Sequence, residues 1–173
     1  MKHRVPGAAA AAAFLLAGTA QAQTSVYTPM EGAACRSRAL IPDDPVDGGG
    51  RRCPGAGGYA LKIETGDDRD FVSVVDPRGC EHDLRLSEVV TWSFSWVGPR
   101  AEWRLAGRGA RPHALIFRLN HQRETNDGNA SPLVVARLDR MCVTAVVPAG
   151  RRQNEAARGA ADRPGPCLPA RTG

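Results

Sequence analysis

The sequence predicts a mostly β domain, a single antiparallel β-sandwich or barrel-like domain, with one C-terminal α-helix and disulfide staples. Three observations support this fold class. Short apolar runs that alternate with polar residues recur between turn signals from residue 58 onward. A stripe of alanines at helical spacing occurs near the end of the chain. Five cysteines follow a segment with the features of an export signal.

Residues 1–22 predict a cleaved secretory signal peptide. A basic start with Lys2 and Arg4 precedes the apolar run 7–18, and residues 20–22 place small side chains where signal peptidase reads them. The apolar run is shorter than the ~20 residues that span a bilayer. We therefore expect a periplasmic protein without a transmembrane segment, and the remaining 151 residues have the length of one domain.

The charge distribution argues against a nucleic-acid partner. The chain has a net charge of +5, and the positive excess lies in the signal segment and in the tail 149–173, so residues 23–148 are neutral overall. Nucleic-acid surfaces combine basic stripes with aromatic side chains. The tail contains no aromatic residue.

The first part of the exported chain divides into two regions. Residues 23–57 are rich in Gly, Pro, Asp and Arg without a period, which predicts an irregular N-terminal segment. A β-domain is expected over 58–148. It begins with the alternating run 59–65, the acidic turn 66–70 and the partner run 71–76, which predict a β-hairpin. The acidic residues of this turn lack the ligand spacing of a calcium loop.

Further strands are expected beyond this hairpin. The short alternating run 84–90 leads into the tryptophan-rich stretch 91–105. The runs 112–120, 133–139 and 141–147 have the length and composition of strands and are separated by turn residues.

The segment 149–173 is expected to carry the helix and a tail that belong to the same domain. The helix is predicted over 154–162, and Pro164 ends it. Its small-residue stripe consists of Ala156, Ala157, Ala160 and Ala161. Alanines on the contact face allow a helix to dock closely on a sheet.

The cysteines predict two staples and one free thiol. Export makes disulfides the expected state. Spacing does not fix their connectivity, but loop position favours Cys35 with Cys53, across a loop rich in Gly and Pro, and Cys142 with Cys167, across the helix. Each bridge is expected to contribute about 2–4 kcal/mol, mainly by restricting the unfolded chain. Cys80 is left unpaired.

The sequence contains no recognisable catalytic motif: it has no nucleophile elbow, phosphate-binding loop, zinc-binding helix or dinucleotide fingerprint. Cys80 and His82 lack the second ligand pair of a zinc site, so no metal and no other cofactor is expected. We favour a non-enzymatic binding or inhibitor-like module whose partner is an envelope protein or a glycan. The alternative is a cell-envelope hydrolase with an unrecognised site that uses Glu102, His82 or Cys80.

Glu102 and Arg104 form the candidate ligand-binding pair. On a strand, their side chains project from one face and Trp103 projects from the other. The planar guanidinium of Arg104 can bind a carboxylate or a phosphate. The alternative interpretation is a pair of solvent-facing charges opposite a core tryptophan.

The stretch 91–105 contains all three tryptophans, which form either a stacking platform or a core. It opens with alternate aromatic residues, here called the aromatic row: Trp92, Phe94 and Trp96. Gly98–Pro99 is expected to turn the chain, so that Trp103 returns beside the row. Because the domain has few other large residues, we expect all four rings in the core.

Several short motifs resemble those of a set of small exported bacterial proteins. In chain order they are 52-RCPGAGGY-59, the Asp-Arg of 67-DDR-69, 102-EWR-104, 133-LVVARL-138, Cys142, the Ala-rich helix and Cys167. The resemblance implies a four-cysteine frame that matches Cys35, Cys53, Cys142 and Cys167, from which Cys80 departs. Those proteins have no established activity, so the resemblance implies a compartment and a frame but no function.

Overall fold

The computed structural model describes residues 23–38, 49–107, 109–125 and 127–172. The expected signal peptide lies outside these residues, as does the part of the N-terminal segment between residues 38 and 49. Within the described ranges the chain is mostly β, with a C-terminal helix and two disulfides. The predicted fold class is confirmed.

The described chain forms eleven strands and two helices. The strands are β1 (Thr24–Pro29), β2 (Arg36–Arg38), β3 (Gly50–Pro54), β4 (Ala60–Gly66), β5 (Arg69–Val75), β6 (Glu81–Asp83), β7 (Ser95–Leu105), β8 (Pro112–Gln122), β9 (Asn129–Ala130), β10 (Leu133–Arg137) and β11 (Cys142–Val147). The helices are α1 (Leu86–Val89) and α2 (Gln153–Ala161).

The strands make one mixed sheet that is not closed. Its order is β11-β10-β8-β7-β5-β4-β3-β2, and β1, β6 and β9 pair beside this path with β7, β5 and β8. The pairing is antiparallel except for one parallel pair, Arg69 with Ser95, which joins β5 to β7. The sheet therefore has two antiparallel halves, β2–β6 and β1 with β7–β11, that meet at this pair.

The inward side chains of both halves pack into one core, as in a sandwich. Leu61, Ile63 and Val72 from the first half share a buried cluster with Trp103 and Phe117 from the second. Trp103 is fully buried, its Nε1 donates to Thr28 Oγ1 at 2.8 Å, and its ring stacks on Tyr59 with centroids 5.8 Å apart. The fold thus depends on contacts between residues distant in sequence.

The β4–β5 hairpin forms where the alternating runs predict it. Its turn residues, Asp67 and Asp68, have φ angles of 50° and 55°. Two successive residues with positive φ are typical of two-residue hairpin turns, whose twist matches that of the strands. Asp67 and Asp68 therefore form a solvated turn, whereas Asp70 at its end is buried. Among the residues that the structure describes, none of the three belongs to a cluster placed to hold a metal ion.

Helix α2 packs on the outer face of the second half through its small side chains. Ala157 and Ala161 are fully buried against Ala114, Ile116 and Val135. The helix begins one residue earlier than predicted, at Gln153. The expected alanine contact is confirmed for these two residues and for the partly buried Ala160, whereas Ala156 is exposed.

The disulfides join the predicted pairs. Cys35–Cys53 connects the turn after β1 to β3, and Cys142–Cys167 connects β11 to the segment after α2. Cys80 is a free, exposed thiol. Two disulfides are consistent with an extracytoplasmic protein. In the described ranges, no helix has the length and apolar character needed to cross a membrane.

Two local predictions were wrong. The segment 23–57 was expected to be irregular, but it contributes β1, β2 and β3, which are stabilised by pairing with other strands rather than by a periodic pattern of their own. The run 84–90 was expected to alternate as a strand, but it contains α1. Leu86, Val89 and Val90, three and four residues apart, all pack on the core from this single turn.

The prediction of a turn at Gly98–Pro99 was also wrong, because strand β7 continues through these two residues. The pairing of β7 with β8 passes from Val97 to Ala101 across a bulge that places extra residues opposite Arg118. Proline has no N–H to donate, and it is tolerated at position 99 because the bulge requires no ladder hydrogen bond from its nitrogen. The Pro99 carbonyl accepts the Met30 N–H at 2.9 Å.

A buried carboxylate, that of Asp70, connects the two halves of the sheet. Its side chain is 6% exposed and accepts hydrogen bonds from Thr65 Oγ1 at 2.5 Å, Arg51 Nη2 at 3.2 Å and the Val97 N–H at 2.9 Å. These donors lie on β4, β3 and β7. The carboxylate therefore supports the junction that the backbone itself spans with one parallel pair.

Replacing this carboxylate should destabilise the domain. Asp70→Ala leaves a buried N–H and a guanidinium without their acceptor, so we expect the free energy of unfolding to fall by about 3 kcal/mol. Denaturant unfolding followed by circular dichroism measures this. Asp68→Asn, an exposed carboxylate at a position that tolerates Asn, is the control and should change little. An unchanged midpoint for Asp70→Ala would show that the junction does not need the carboxylate.

Candidate functional site

The aromatic row lies on the surface. Trp92, Phe94 and Trp96 are 54%, 46% and 46% exposed, whereas Thr91 and Ser95 between and beside them are buried. The predicted alternation is present, but its faces are inverted. The expectation that the three rings of the row lie in the core was wrong. Of the four rings expected there, only that of Trp103 is in the core.

The inversion follows from strand parity. Val97, Ala101 and Trp103 are all buried and all odd-numbered, because the bulge in β7 adds two residues relative to β8 and so keeps the parity. Trp96, an even-numbered residue of the same strand, must then face the other way. Trp92 and Phe94 precede β7 and are also exposed. On one continuous strand, Trp96 and Trp103 must face opposite sides because one is even-numbered and the other odd-numbered. The predicted turn at Gly98–Pro99 placed them on two strands and so concealed this.

Backbone hydrogen bonds fix the segment that carries the row. The Ser95 N–H donates to Asp68 O at 3.0 Å, and the Val97 N–H donates to the Asp70 carboxylate. From the other side, the Gln122 N–H donates to Phe94 O at 3.0 Å. The rings are therefore presented on a backbone that is held on both sides.

Polar side chains flank the rings. The Arg69 guanidinium lies 5.7 Å from the centre of the Phe94 ring, a cation–π contact. Its Nε donates to Trp92 O at 2.8 Å, and Nη1 bonds Asp67. Asn120 is directly opposite Trp96 in the β7–β8 pairing, so both side chains project from the same face. The surface thus combines flat apolar rings with hydrogen-bonding edges.

Glu102 and Arg104 lie under α2. Arg104 donates from Nε and Nη2 to the two carboxylate oxygens of Asp162, at 3.0 and 2.6 Å. Glu102 accepts from Arg158 Nε at 2.7 Å and from Ser25 Oγ at 2.5 Å. The expected division of faces is present, with Trp103 opposite the pair.

The pair is not solvent-facing, since the Arg104 and Glu102 side chains are 7% and 11% exposed. Glu102 and Arg104 form hydrogen bonds with Ser25 on β1, with Arg158 on α2 and with Asp162 directly after it. These contacts hold the helix on the sheet, so the two side chains have a structural role. A role for Glu102 and Arg104 in ligand binding stays a prediction.

Both carboxyl groups of this network are held in the charged form. Burial raises the pKa of Glu102, but hydrogen bonds from Arg158 and Ser25 outweigh it, and the pKa is lowered. Burial likewise raises the pKa of Asp162, and the Arg104 guanidinium more than reverses this. Glu102 is therefore an ionised anchor, which disfavours a role as proton donor.

The connection between β5 and β6 holds the other candidate residues. The Arg78 guanidinium holds the pKa of Asp76 at about 2, against the effect of burial and with help from the Cys80 and Arg78 N–H groups. His82 Nε2 lies 3.5 Å from Asp76 Oδ2, and Cys80 is exposed nearby in sequence.

The three residues of the hydrolase alternative are not assembled into one site. Among the described residues, no hydrogen bond or ion pair links Glu102 with His82 or Cys80. The same part of the chain contains no group of three or more His, Cys, Asp or Glu side chains placed to hold a metal ion.

Comparison of the chain with protein-family models, with curated proteins and with solved structures found no match. The functional assignment therefore depends on the geometry of the aromatic row and of the surrounding surface.

Substitutions at Trp103 and Trp96 should separate the core from the surface. Trp103→Ala removes a fully buried ring and should lower the free energy of unfolding by about 3–5 kcal/mol. Trp96→Ala removes a half-exposed ring and should cost about 1 kcal/mol or less. Thermal and denaturant unfolding of the two variants test this, and equal losses would contradict the exposure of the row.

The ion network predicts a dependence of stability on pH. Because the folded-state pKa values of Glu102 and Asp162 are lowered, their contribution is present above about pH 4 and is lost as the pH falls through the folded values. The double variant Glu102→Gln/Asp162→Asn should show a smaller loss of stability in this range than the wild type. The control Glu31→Gln/Asp68→Asn removes two exposed carboxylates and should follow the wild-type curve. Unfolding free energies measured from pH 3 to 7 give the comparison, and parallel curves would contradict the prediction.

Proposed function

We propose that the protein is a non-enzymatic glycan-binding module of the periplasm, with the aromatic row as its binding surface. The observation that carries the proposal is the exposure of three alternate rings on a backbone fixed from both sides. Exposed apolar patches with polar edges mark interaction surfaces. A rigid presentation lowers the entropy lost on binding.

The chemistry of the surface favours a sugar over a protein partner. A sugar ring has apolar C–H faces and a rim of hydroxyl groups, so it needs flat rings to stack on and polar groups beside them. The row supplies the rings, and Arg69 and Asn120 supply polar groups beside them.

The extent of the row favours an oligosaccharide. At the rise of a strand, residues 92 to 96 span at most about 13 Å. Three rings over this length can contact successive sugar units, which provides affinity from several weak stacking contacts.

Sequence and disulfides support the compartment. Residues 1–22 have the pattern of a secretory signal peptide, and two disulfides agree with an oxidising environment. Envelope glycans are abundant polymers in such a compartment. A stable scaffold that displays rings is sufficient for retention on them.

Binding to glycans should depend on the row. We expect the wild type to sediment with purified peptidoglycan and to show tryptophan fluorescence changes with its soluble oligosaccharide fragments. Trp92→Ala and Trp96→Ala should each weaken binding about tenfold, or ~1.4 kcal/mol, with little change in melting temperature.

The matched control is Tyr27→Ala, which removes an exposed ring on β1 opposite Glu102, away from the row. It should bind as the wild type does. Unchanged binding by both tryptophan variants, or no binding of any glycan by the wild type, would overturn the proposal.

A further inference from the structure

A second surface feature lies at the other end of β5. The row adjoins Arg69, the first residue of this strand, whereas Asp76 and Arg78 follow its last residue, about 20 Å away at the rise of a strand. There a cleft of about 460 Å³ is lined by side chains that include Tyr59, Arg111 and Arg140. The cleft is distinct from the proposed glycan surface.

Three arginines from three connections converge on this cleft. Arg78 belongs to the β5–β6 connection, Arg111 precedes β8, and Arg140 lies between β10 and β11. Residues so far apart in sequence come together only in the folded chain. Their convergence therefore cannot be attributed to a local run of charge.

The charge of the cleft is not balanced by its own carboxylates. Asp76 is bonded by Arg78 at 3.1 and 2.9 Å, and Asp139 is paired with Arg137 at 3.0 Å. Arg140 donates to the carbonyl of Gly165 at 3.2 Å, and Arg111 has no hydrogen bond or ion pair among the described residues. Two guanidinium groups in the cleft thus lack a paired carboxylate.

The Arg78 guanidinium is held in place before any ligand arrives. Asp76 accepts the N–H groups of Arg78 and Cys80 at 2.8 and 3.0 Å, which fixes the connection that carries Arg78. Two nitrogens of its guanidinium bond Asp76, and Nη1 is left for another acceptor. The cleft contains more guanidinium groups than carboxylates, and an excess of positive charge in a cleft raises the local concentration of anions.

We propose that this cleft binds a phosphate monoester, held by Arg111 and Arg140 with the fixed Arg78 beside them. A phosphate monoester carries a charge of about −1.5 to −2 at neutral pH, which matches the two unpaired guanidinium groups. Arginine binds phosphate oxygens through pairs of N–H groups. The cleft exceeds the size of the phosphate alone, so it also holds part of the group to which the phosphate is esterified.

Calorimetric titration of the full exported chain with glucose 1-phosphate tests the small-molecule source. A second arm uses vesicles containing phosphatidic acid, whose headgroup is also a phosphate monoester, and sedimentation detects binding. We expect one arm or both to show saturable binding that weakens with salt. Wild-type protein that binds neither probe at ~10 mM phosphate monoester, a concentration that detects even weak sites, overturns the proposal.

The variants Arg111→Gln and Arg140→Gln should each weaken binding about tenfold, and the double variant should weaken it further. Arg163→Gln removes an exposed arginine outside the cleft and is the matched control, with binding within about twofold of the wild type. Equal affinity of the double variant and the control contradicts the site. Melting temperatures establish that each variant is folded. Trp96→Ala should retain phosphate binding, so failure at this cleft and failure at the aromatic row are distinguishable.

Discussion

The buried carboxylate of Asp70 is the contact on which the arrangement of this domain depends. The two halves of the sheet share one backbone pair, Arg69 with Ser95, which cannot by itself fix how β7 is rotated. Asp70 accepts the Val97 N–H while it also accepts donors from β3 and β4. Because this contact aligns the start of β7 with the first half, it places odd-numbered side chains of β7 in the core and even-numbered ones outside. One buried acceptor thereby decides which aromatic residues are structural and which are exposed.

The even-numbered face of β7 has two different environments along its length. Before the bulge no helix covers it, and Trp96 is half exposed. After the bulge, α2 covers the sheet, and Glu102 and Arg104 are enclosed with Arg158 and Asp162. Buried charges destabilise a protein unless they are paired, and here each acidic group has a guanidinium partner. The position of one short helix therefore separates an exposed aromatic surface from a buried ion network on the same strand.

Local signals in the sequence predicted the parts of the fold that are built locally. The β4–β5 hairpin, the alanine contact of α2 and the two disulfide pairs follow from alternation, spacing and loop position. The errors concern elements that distant contacts determine. Strands β1–β3 have no period of their own and form because partners elsewhere pair with them. The continuity of β7 through Gly98–Pro99 depends on a bulge opposite Arg118, which no local pattern predicts. The aromatic row was placed in the core because the domain has few other large residues, a count that does not tell which face of a strand is buried. For Glu102 and Arg104, parity predicted the shared face, but only the docked helix identifies their partners.

The division of β7 by parity also separates the side chains that stabilise the fold from those that form the exposed surface. The odd-numbered side chains fill the core, where a change of volume is costly because the interior is closely packed. The exposed even-numbered side chains of the row contribute little to the core, while the backbone beneath them is held by β5 and β8. A surface of this kind can change its side chains without loss of the fold. Trp96 is presented on this strand, and a side chain on a fixed strand loses less freedom in a contact than one on a mobile loop. The rigidity of the backbone and the tolerance of the exposed row to substitution are therefore two consequences of the same strand register.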